Sequence, residues 1–223
     1  MSLNAPESLA EQIASHITEQ IIRGHLASNE RIQEARVVEE LQVSRGPVRE
    51  ALLILESRHL VTIVPRRGAM VSELTPNRVH GLYDIYETLL TLLATRVAQV
   101  WTDENKTPLL NQAMALQQIA TTADKYQFML AGFDLMWAAC EMVDNAYLAN
   151  TLRSLQPAIH RTYALSIRHS PTEIDTTKEF FVNVVTAILS RDTASLPSLM
   201  HKFSNNQRLL VLSAMEHEGS SCA

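Results

Sequence analysis

No apolar run in the 223-residue sequence approaches the roughly 18 residues that a membrane-spanning helix needs. One of the longest, residues 89–94, stops after six. The opening MSLNAPESLAEQ lacks a charged-then-apolar leader, so the expected location is the cytoplasm. Cysteine is scarce: Cys140 and Cys222 stand alone, with no CxxC spacing. That excludes a zinc ribbon or knuckle and a disulfide framework. The six glycines form no phosphate-cradling loop, and GxSxG and HExxH are both absent, which removes the common signatures of enzymes. Lysine is scarce too. Fifteen of the 19 basic residues are arginine, the cation better suited to bidentate contacts with guanine and phosphate.

What is present is a core-forming fraction, 46% hydrophobic against 19% charged, which predicts a globular chain of one or two domains. The net charge of −5 argues against coating nucleic acid by bulk attraction, so binding to it requires a local patch. Residues 7–40 carry a net −4, whereas residues 44–67 carry +3 from Arg45, Arg49, Arg58, Arg66 and Arg67 against Glu50 and Glu56.

Leu9, Ile13, Ile17 and Ile21 recur at spacing four, predicting a helix that Ser8 caps and Gly24 ends. A second helix places Ala35, Val38 and Leu41 on one face. After a two-residue turn, Ser44 caps a third, in which Pro47 sits harmlessly in the first turn and Val48, Leu52 and Leu55 form the buried stripe. The period then falls to two: LVTIV and AMVSE flank a PRRG turn that Gly68 completes. Three helices followed by a hairpin form the winged helix-turn-helix pattern, with the third helix entering the major groove. Arg45 and Arg49, spaced i, i+4, share a face of that helix, and Gly46 between them allows close approach to a duplex. Arg66 and Arg67 occupy the wing tip.

From Thr75 onward helix-start chemistry recurs at Thr75-Pro76, Thr107-Pro108 and Ser170-Pro171. It predicts helices over 76–101, 108–122, 125–143, 146–155, 157–168, 172–190 and 193–216. The fold class is therefore mainly α: a winged helix-turn-helix over residues 1–74, and an all-α antiparallel bundle of six or seven helices over residues 75–223.

The run VSRGPVREAL, with Gly24, Glu34 and the wing PRRGAMV, resembles the GntR family of bacterial transcription regulators. The plan of the whole chain resembles its FadR subgroup, whose C-terminal FCD domain binds an effector and forms the dimer contact. The resemblance implies DNA contacts by Arg36, Ser44, Arg45, Gly46, Arg49, Arg66, Arg67 and Gly68. It also implies a homodimeric repressor, not an enzyme, that binds a palindromic double-stranded operator and responds to a small metabolite. Ala27-Ser28-Asn29 replaces a loop that is often Pro-Gly, and His59 replaces a frequent Gly, so altered loop geometry is expected there.

Many FCD domains hold a metal through an Asp-x-x-Phe-His pattern and two later histidines. Here FDLMWA keeps Asp134 but places Trp137 and Ala138 where Phe and His would stand, and the later positions fall at Phe181 and Phe203. One carboxylate cannot hold a metal, so no metal or other cofactor is expected. The family's Arg-x-x-Leu-Glu corresponds to Tyr86 and Leu90, removing a cation associated with acidic effectors. Tyr86, Leu90, Asp134, Trp137, Phe181 and Phe203 are thus the expected lining of a site for an effector that is apolar or aromatic in part. His160, His169, His201 and His80 are read as surface or edge positions, with a register shift toward His201 as the route by which a metal-dependent regulator with a carboxylic-acid effector would stand instead. A helical enzyme carrying an accessory DNA-binding segment is the remaining alternative. Asn145 is read as structural, at a helix break, and Cys140 as a buried, inert thiol with no cation beside it.

Overall fold

The computed structural model describes residues 7–120, 125–169 and 173–221, so Ser170-Pro171 and Cys222 lie outside the described residues. The element order is α1 (Leu9–Ile22), α2 (Glu34–Leu41), α3 (Arg45–Ser57), β1 (Val61–Val64), β2 (Gly68–Val71), α4 (Pro76–Val100), α5 (Thr107–Ile119), α6 (Lys125–Val143), α7 (Ala146–His169), α8 (Glu173–Leu189) and α9 (Leu196–Ser221). It divides into two compact units. One takes the chain up to Thr75 together with Ser154–Arg161, the other Pro76–Arg153 and the chain from Thr162.

In the first unit, α1 starts where Ser8 accepts a hydrogen bond from the Glu11 amide at 3.2 Å, so the capping oxygen satisfies a donor the helix cannot. The helix ends as the Gly24 amide donates to Ile21 and the His25 amide to Gln20, with Gly24 at φ 80°, the left-handed geometry of a Schellman close. Ile13, Ala14, Ile17 and Ile21 pack against Val48, Ala51, Leu52 and Leu55 of α3 and Leu60, Val61, Ala69 and Val71 of the hairpin. Leu9 departs from the expected stripe: it is 45% exposed, and Ala10 is buried in its place. In α2, Val37, Val38 and Leu41 lean on the core, while Ala35 is exposed.

β1 and β2 pair antiparallel, with Val61 opposite Val71 and Val64 opposite Gly68. The Arg67 amide donates to the Val64 carbonyl at 3.0 Å, closing a turn with Pro65 second and Arg66, at φ 65°, third. The polar segment after α1 bridges to β2 through Arg31 and Met70. The Ile32 amide donates to Ala69 and the Asn29 amide to Val71. Asn29 itself is left-handed at φ 63°, a conformation its short polar side chain tolerates.

Among the described residues the regular elements of the second unit are all helices. Two expected starts shift. α5 begins at Thr107 itself, with Lys106 as its cap residue and no side-chain cap bond. α9 begins at Leu196 rather than residue 193, because the Asp192 carboxylate accepts from the Ser195 amide at 3.2 Å and holds the preceding turn. The larger correction is α7, a single helix with Pro157 inside it where two helices were expected. An interior proline costs about 3 kcal/mol through its missing N–H and its clash with the preceding turn. Leu152 and Ile159, both fully buried, lie on one face on either side of it. Each such burial contributes roughly 1.5–3 kcal/mol, which favours continuing the helix. Asn145 does have a structural role, but as the cap of α7: its Oδ1 accepts from the Leu148 amide at 3.1 Å. The left-handed residue at that break is Asp144, at φ 49°.

α3 closes with the Schellman pattern seen in α1: the His59 amide donates to Glu56 and the Leu60 amide to Leu55. The left-handed residue is His59, at φ 60°, where a side chain is strained by roughly 1–2 kcal/mol. His59→Gly relieves that strain at some cost in unfolded-chain entropy. Urea denaturation of the variant should show a net gain of about 1 kcal/mol, and a loss of stability would contradict this reading of the helix end.

Candidate nucleic-acid interface and interior cavity

The buried side of α3 fixes what its other side presents. With Val48, Ala51, Leu52 and Leu55 inside, Arg45, Gly46 and Arg49 are all exposed. Ser44 occupies the cap position but makes no side-chain cap bond, so its hydroxyl is exposed rather than spent on the helix. A methyl group built on Gly46 would meet nothing within 4 Å. Arg49 donates from Nε to Glu34 Oε2 at 3.0 Å. The pair is solvent-exposed, with the arginine side chain 67% accessible, and an ion pair of this kind contributes little and is easily exchanged for another anion. Arg36 is exposed on α2, and Arg66 and Arg67 are exposed at the hairpin tip.

Gly68, at φ 85°, lies against an arginine the sequence reading missed. The Arg31 guanidinium sits 3.7 Å from where a Gly68 side chain would begin. Arg31 therefore joins the wing cations. No periodicity announces it, since a single bridge to Met70 places it there. The hairpin is also tied to α3, because the Ile63 amide donates to Glu56 Oε1 at 2.9 Å. Arg58, the remaining cation of the basic segment, is committed elsewhere, bonded to Glu11 at 2.6 Å.

Within the second unit the described residues line a cavity of about 140 Å³. Tyr86 and Leu90 of α4, Phe181 of α8 and Phe203 of α9 line it, bringing together four of the six residues expected there. Asp134 and Trp137 do not belong to it. The lining face of α6 carries Phe128, Gly132, Leu135, Met136 and Ala139. At 100° per residue Asp134 lies about 160° around the helix from Gly132, near the centre of that face, and Trp137 about 140°. Asp134 is accordingly exposed, and Trp137 lies under the Arg153 guanidinium at 5.1 Å. Both were placed by matching a motif and not by helical phase. The two later positions at which histidine ligands would be needed for a metal are occupied by packed rings: Phe203 stacks on Phe180 at 3.9 Å, and Phe181 meets Phe128 edge-on at 6.1 Å.

The lining has few polar groups. Among its described residues Lys125 is the one basic group, and there is no carboxylate. The Tyr86 hydroxyl donates to the Met136 thioether at 3.6 Å, a weak acceptor. Burial, then the neighbouring Cys140, raise the phenol well above its ordinary pKa, so it stays protonated. Gln207 is 1% exposed, lines the cavity, and its Oε1 has no hydrogen-bond partner. No group of three or more His, Cys, Asp or Glu side chains converges among the described residues. His201 is exposed and pairs with Glu87 at 3.0 Å. His160 departs from its expected surface position: it is half-buried, and burial lowers its pKa to about 4. The side chain of His169 lies outside the described residues.

Two family models match the chain. "Bacterial regulatory proteins, gntR family" covers residues 9–71, and the FCD domain covers residues 81–206. The chain belongs to the GntR family. Its FCD domain makes the chain compatible with the FadR subgroup. Similar relatives include the gluconate operon transcriptional repressor of Bacillus licheniformis, 27% identical over 72% of this chain and 66% of that protein. The HTH-type transcriptional repressor RspR of Escherichia coli (strain K12) is 26% identical over 77% of this chain and 76% of its own. The match thus spans slightly under two thirds of the gluconate operon repressor's length. Among solved structures, E. coli McbR/YncC superposes with a TM-score of 0.74 at 19% identity, covering 92% of this chain and 98% of that one. Lar of Listeria monocytogenes gives 0.63 at 15% identity, over 94% and 99%. Both share the fold. Among the described residues no helix is long and apolar enough to cross a membrane.

Cys140 is buried and unpaired. Arg153, a cation the sequence reading did not place nearby, lowers its pKa, but desolvation outweighs it and the thiol stands at about 11. Since the thiolate is the reactive form, a Cys222→Ser chain should resist a disulfide reagent at pH 8 until it is unfolded. Rapid labelling of the folded variant would show that the thiol is reached from solvent.

Proposed function

We propose that this GntR regulator is a homodimeric repressor whose two heads bind a palindromic double-stranded operator, and whose affinity changes when a small metabolite enters the FCD cavity. In this reading residues 1–74 are the DNA-binding head and residues 75–223 the effector-binding and dimerisation domain, acting in the bacterial cytoplasm with no metal or other cofactor. The observation that carries it is the exposed start of α3, where Arg45, Gly46 and Arg49 stand free of the core and above a buried stripe that holds the helix in place. Arg45 and Arg49 read base edges in the major groove, with Glu34 releasing Arg49 to the duplex. Ser44 and Arg36 meet phosphates, and Arg66, Arg67 and the close-approaching Gly68 meet the backbone or minor groove.

The effector acts by binding the operator-competent and operator-incompetent arrangements unequally, since a ligand with equal affinity for both shifts nothing. Tyr86, Leu90, Phe181 and Phe203 form its walls. A metal-dependent regulator with a carboxylic-acid effector is less well supported, because Phe181 and Phe203 present rings where imidazoles would be needed.

The test begins with a duplex selected by the full-length protein from a random pool and measured by fluorescence anisotropy at several salt concentrations. Arg45→Ala or Arg49→Ala should weaken binding by roughly 1–3 kcal/mol and relax preference at one base pair per half-site. Arg66→Ala should instead lower the salt slope by about one with sequence preference kept. Unchanged affinity in both recognition-helix variants would end the docking scheme.

A further inference from the structure

The edge of β2 away from β1 is not open. Residues 29–32 pair along it: the Val71 amide donates to the Glu30 carbonyl and the Ile32 amide to the Ala69 carbonyl, both at 2.9 Å. Arg31 stands opposite Met70 between these two bonds. Side chains alternate across a strand, so Ile32 turns into the core of the first unit at 4% exposure while Arg31 is exposed. Met70 is paired on its other side with Thr62, which sets Arg31, Met70 and Thr62 in one row on the outer face of the wing. Gly68, two residues from Met70, belongs to the same face.

The Arg31 side chain runs along this face instead of standing away from it. Its Nε and Nη2 lie 3.7 and 3.8 Å from the point where a Gly68 side chain would begin, so the guanidinium reaches toward the turn that carries Arg66 and Arg67, both exposed. Its charge is not met within the described residues. Arg23, Arg49 and Arg58 of the same unit pair with Glu19, Glu34 and Glu11, whereas Arg31, Arg66 and Arg67 form no ion pair among the described residues. The adjacent Glu30 carboxylate is turned elsewhere, accepting from the Ala27 amide at 2.8 Å. Like charges gathered at one end of a hairpin repel one another, and an anion from outside relieves that repulsion.

We propose that Arg31 holds a backbone phosphate of the operator, so that the phosphate-binding surface of the wing extends from its tip back to the strand that precedes α2. The inference rests on the DNA-binding reading of the first unit and adds a residue to it. Phosphate fits this position better than a base edge does. The Arg31 backbone is held level with Met70, about 7 Å behind Gly68 along the strand. A duplex whose groove receives the tip presents its sugar–phosphate strand there, and contacts to that strand fix register without reading sequence.

The experiment measures the salt dependence of affinity by fluorescence anisotropy for the full-length chain, on the selected duplex and on one of random sequence, in the wild type, Arg31→Gln and Arg31→Lys. Arg31→Gln should lower the salt slope by about 0.9 on both duplexes alike, making the loss of affinity between about 50 and about 200 mM salt roughly threefold shallower. Arg31→Lys should keep the slope, because a point charge suffices for a phosphate. Arg31→Met, which keeps the stem along Gly68, replaces the glutamine variant should that one prove less stable in urea. An unchanged slope in Arg31→Gln, or an equal loss in Arg31→Lys, would overturn the assignment while Arg45→Ala and Arg49→Ala still weaken binding. A loss confined to the selected duplex would overturn it in favour of a base contact. If neither these variants nor those of the recognition helix alter affinity, the DNA-binding reading falls as well.

Discussion

The arginines of α3 face solvent because the opposite side of that helix is committed to α1. Val48, Ala51, Leu52 and Leu55 are at most 3% exposed, as are the isoleucines they meet. Rotating α3 by one residue would expose this stripe and bury a guanidinium without a partner, a loss of several kcal/mol from each change. The direction in which Arg45 and Arg49 point thus follows from the hydrophobic core and not from any interaction of their own. The same core receives the hairpin through Leu60, Val61, Ala69 and Val71, so the wing cations are presented from the same foundation.

The FCD unit handles large side chains differently. Phe180, Phe181, Phe203 and Phe128 stack or meet edge-on with one another, geometries that aromatic rings favour. Rings held by each other in this way support a wall without filling the space it bounds. Gly132 contributes to the fit: a methyl group there would sit 3.0 Å from the Phe181 ring, so the ring's position depends on a residue with no side chain. The cavity is the product of specific packing, not of a deficit of apolar volume.

The parts of this structure legible in the sequence are those governed by local rules. The spacing of Ile13, Ile17 and Ile21, the Ser8 cap, the Gly24 stop and the change of period at Leu60 were each sufficient for their element. Where tertiary burial competes with a local rule, the sequence misleads: Pro157 reads as a break, yet buried Leu152 and Ile159 carry α7 across it. The cavity shows a second limit. Tyr86, Leu90, Phe181 and Phe203 were found by correspondence with a family pattern, but Asp134 and Trp137, taken from the same pattern, point away because their helical phase differs from that of Met136. Arg31 carried no motif at all. Its place beside Gly68 rests on one strand pairing, which only the folded chain reveals.

Gly46 separates two demands that usually coincide. Nothing in the protein lies within 4 Å of its missing side chain, so the fold has no steric use for glycine there, and a helix is ordinarily better served by alanine. In the proposed reading, the empty space is there for the approaching duplex. A laboratory selection for heat resistance alone would therefore be expected to drift toward a larger residue at this position, improving the protein as a folded object while closing the surface that the proposed reading presents to DNA.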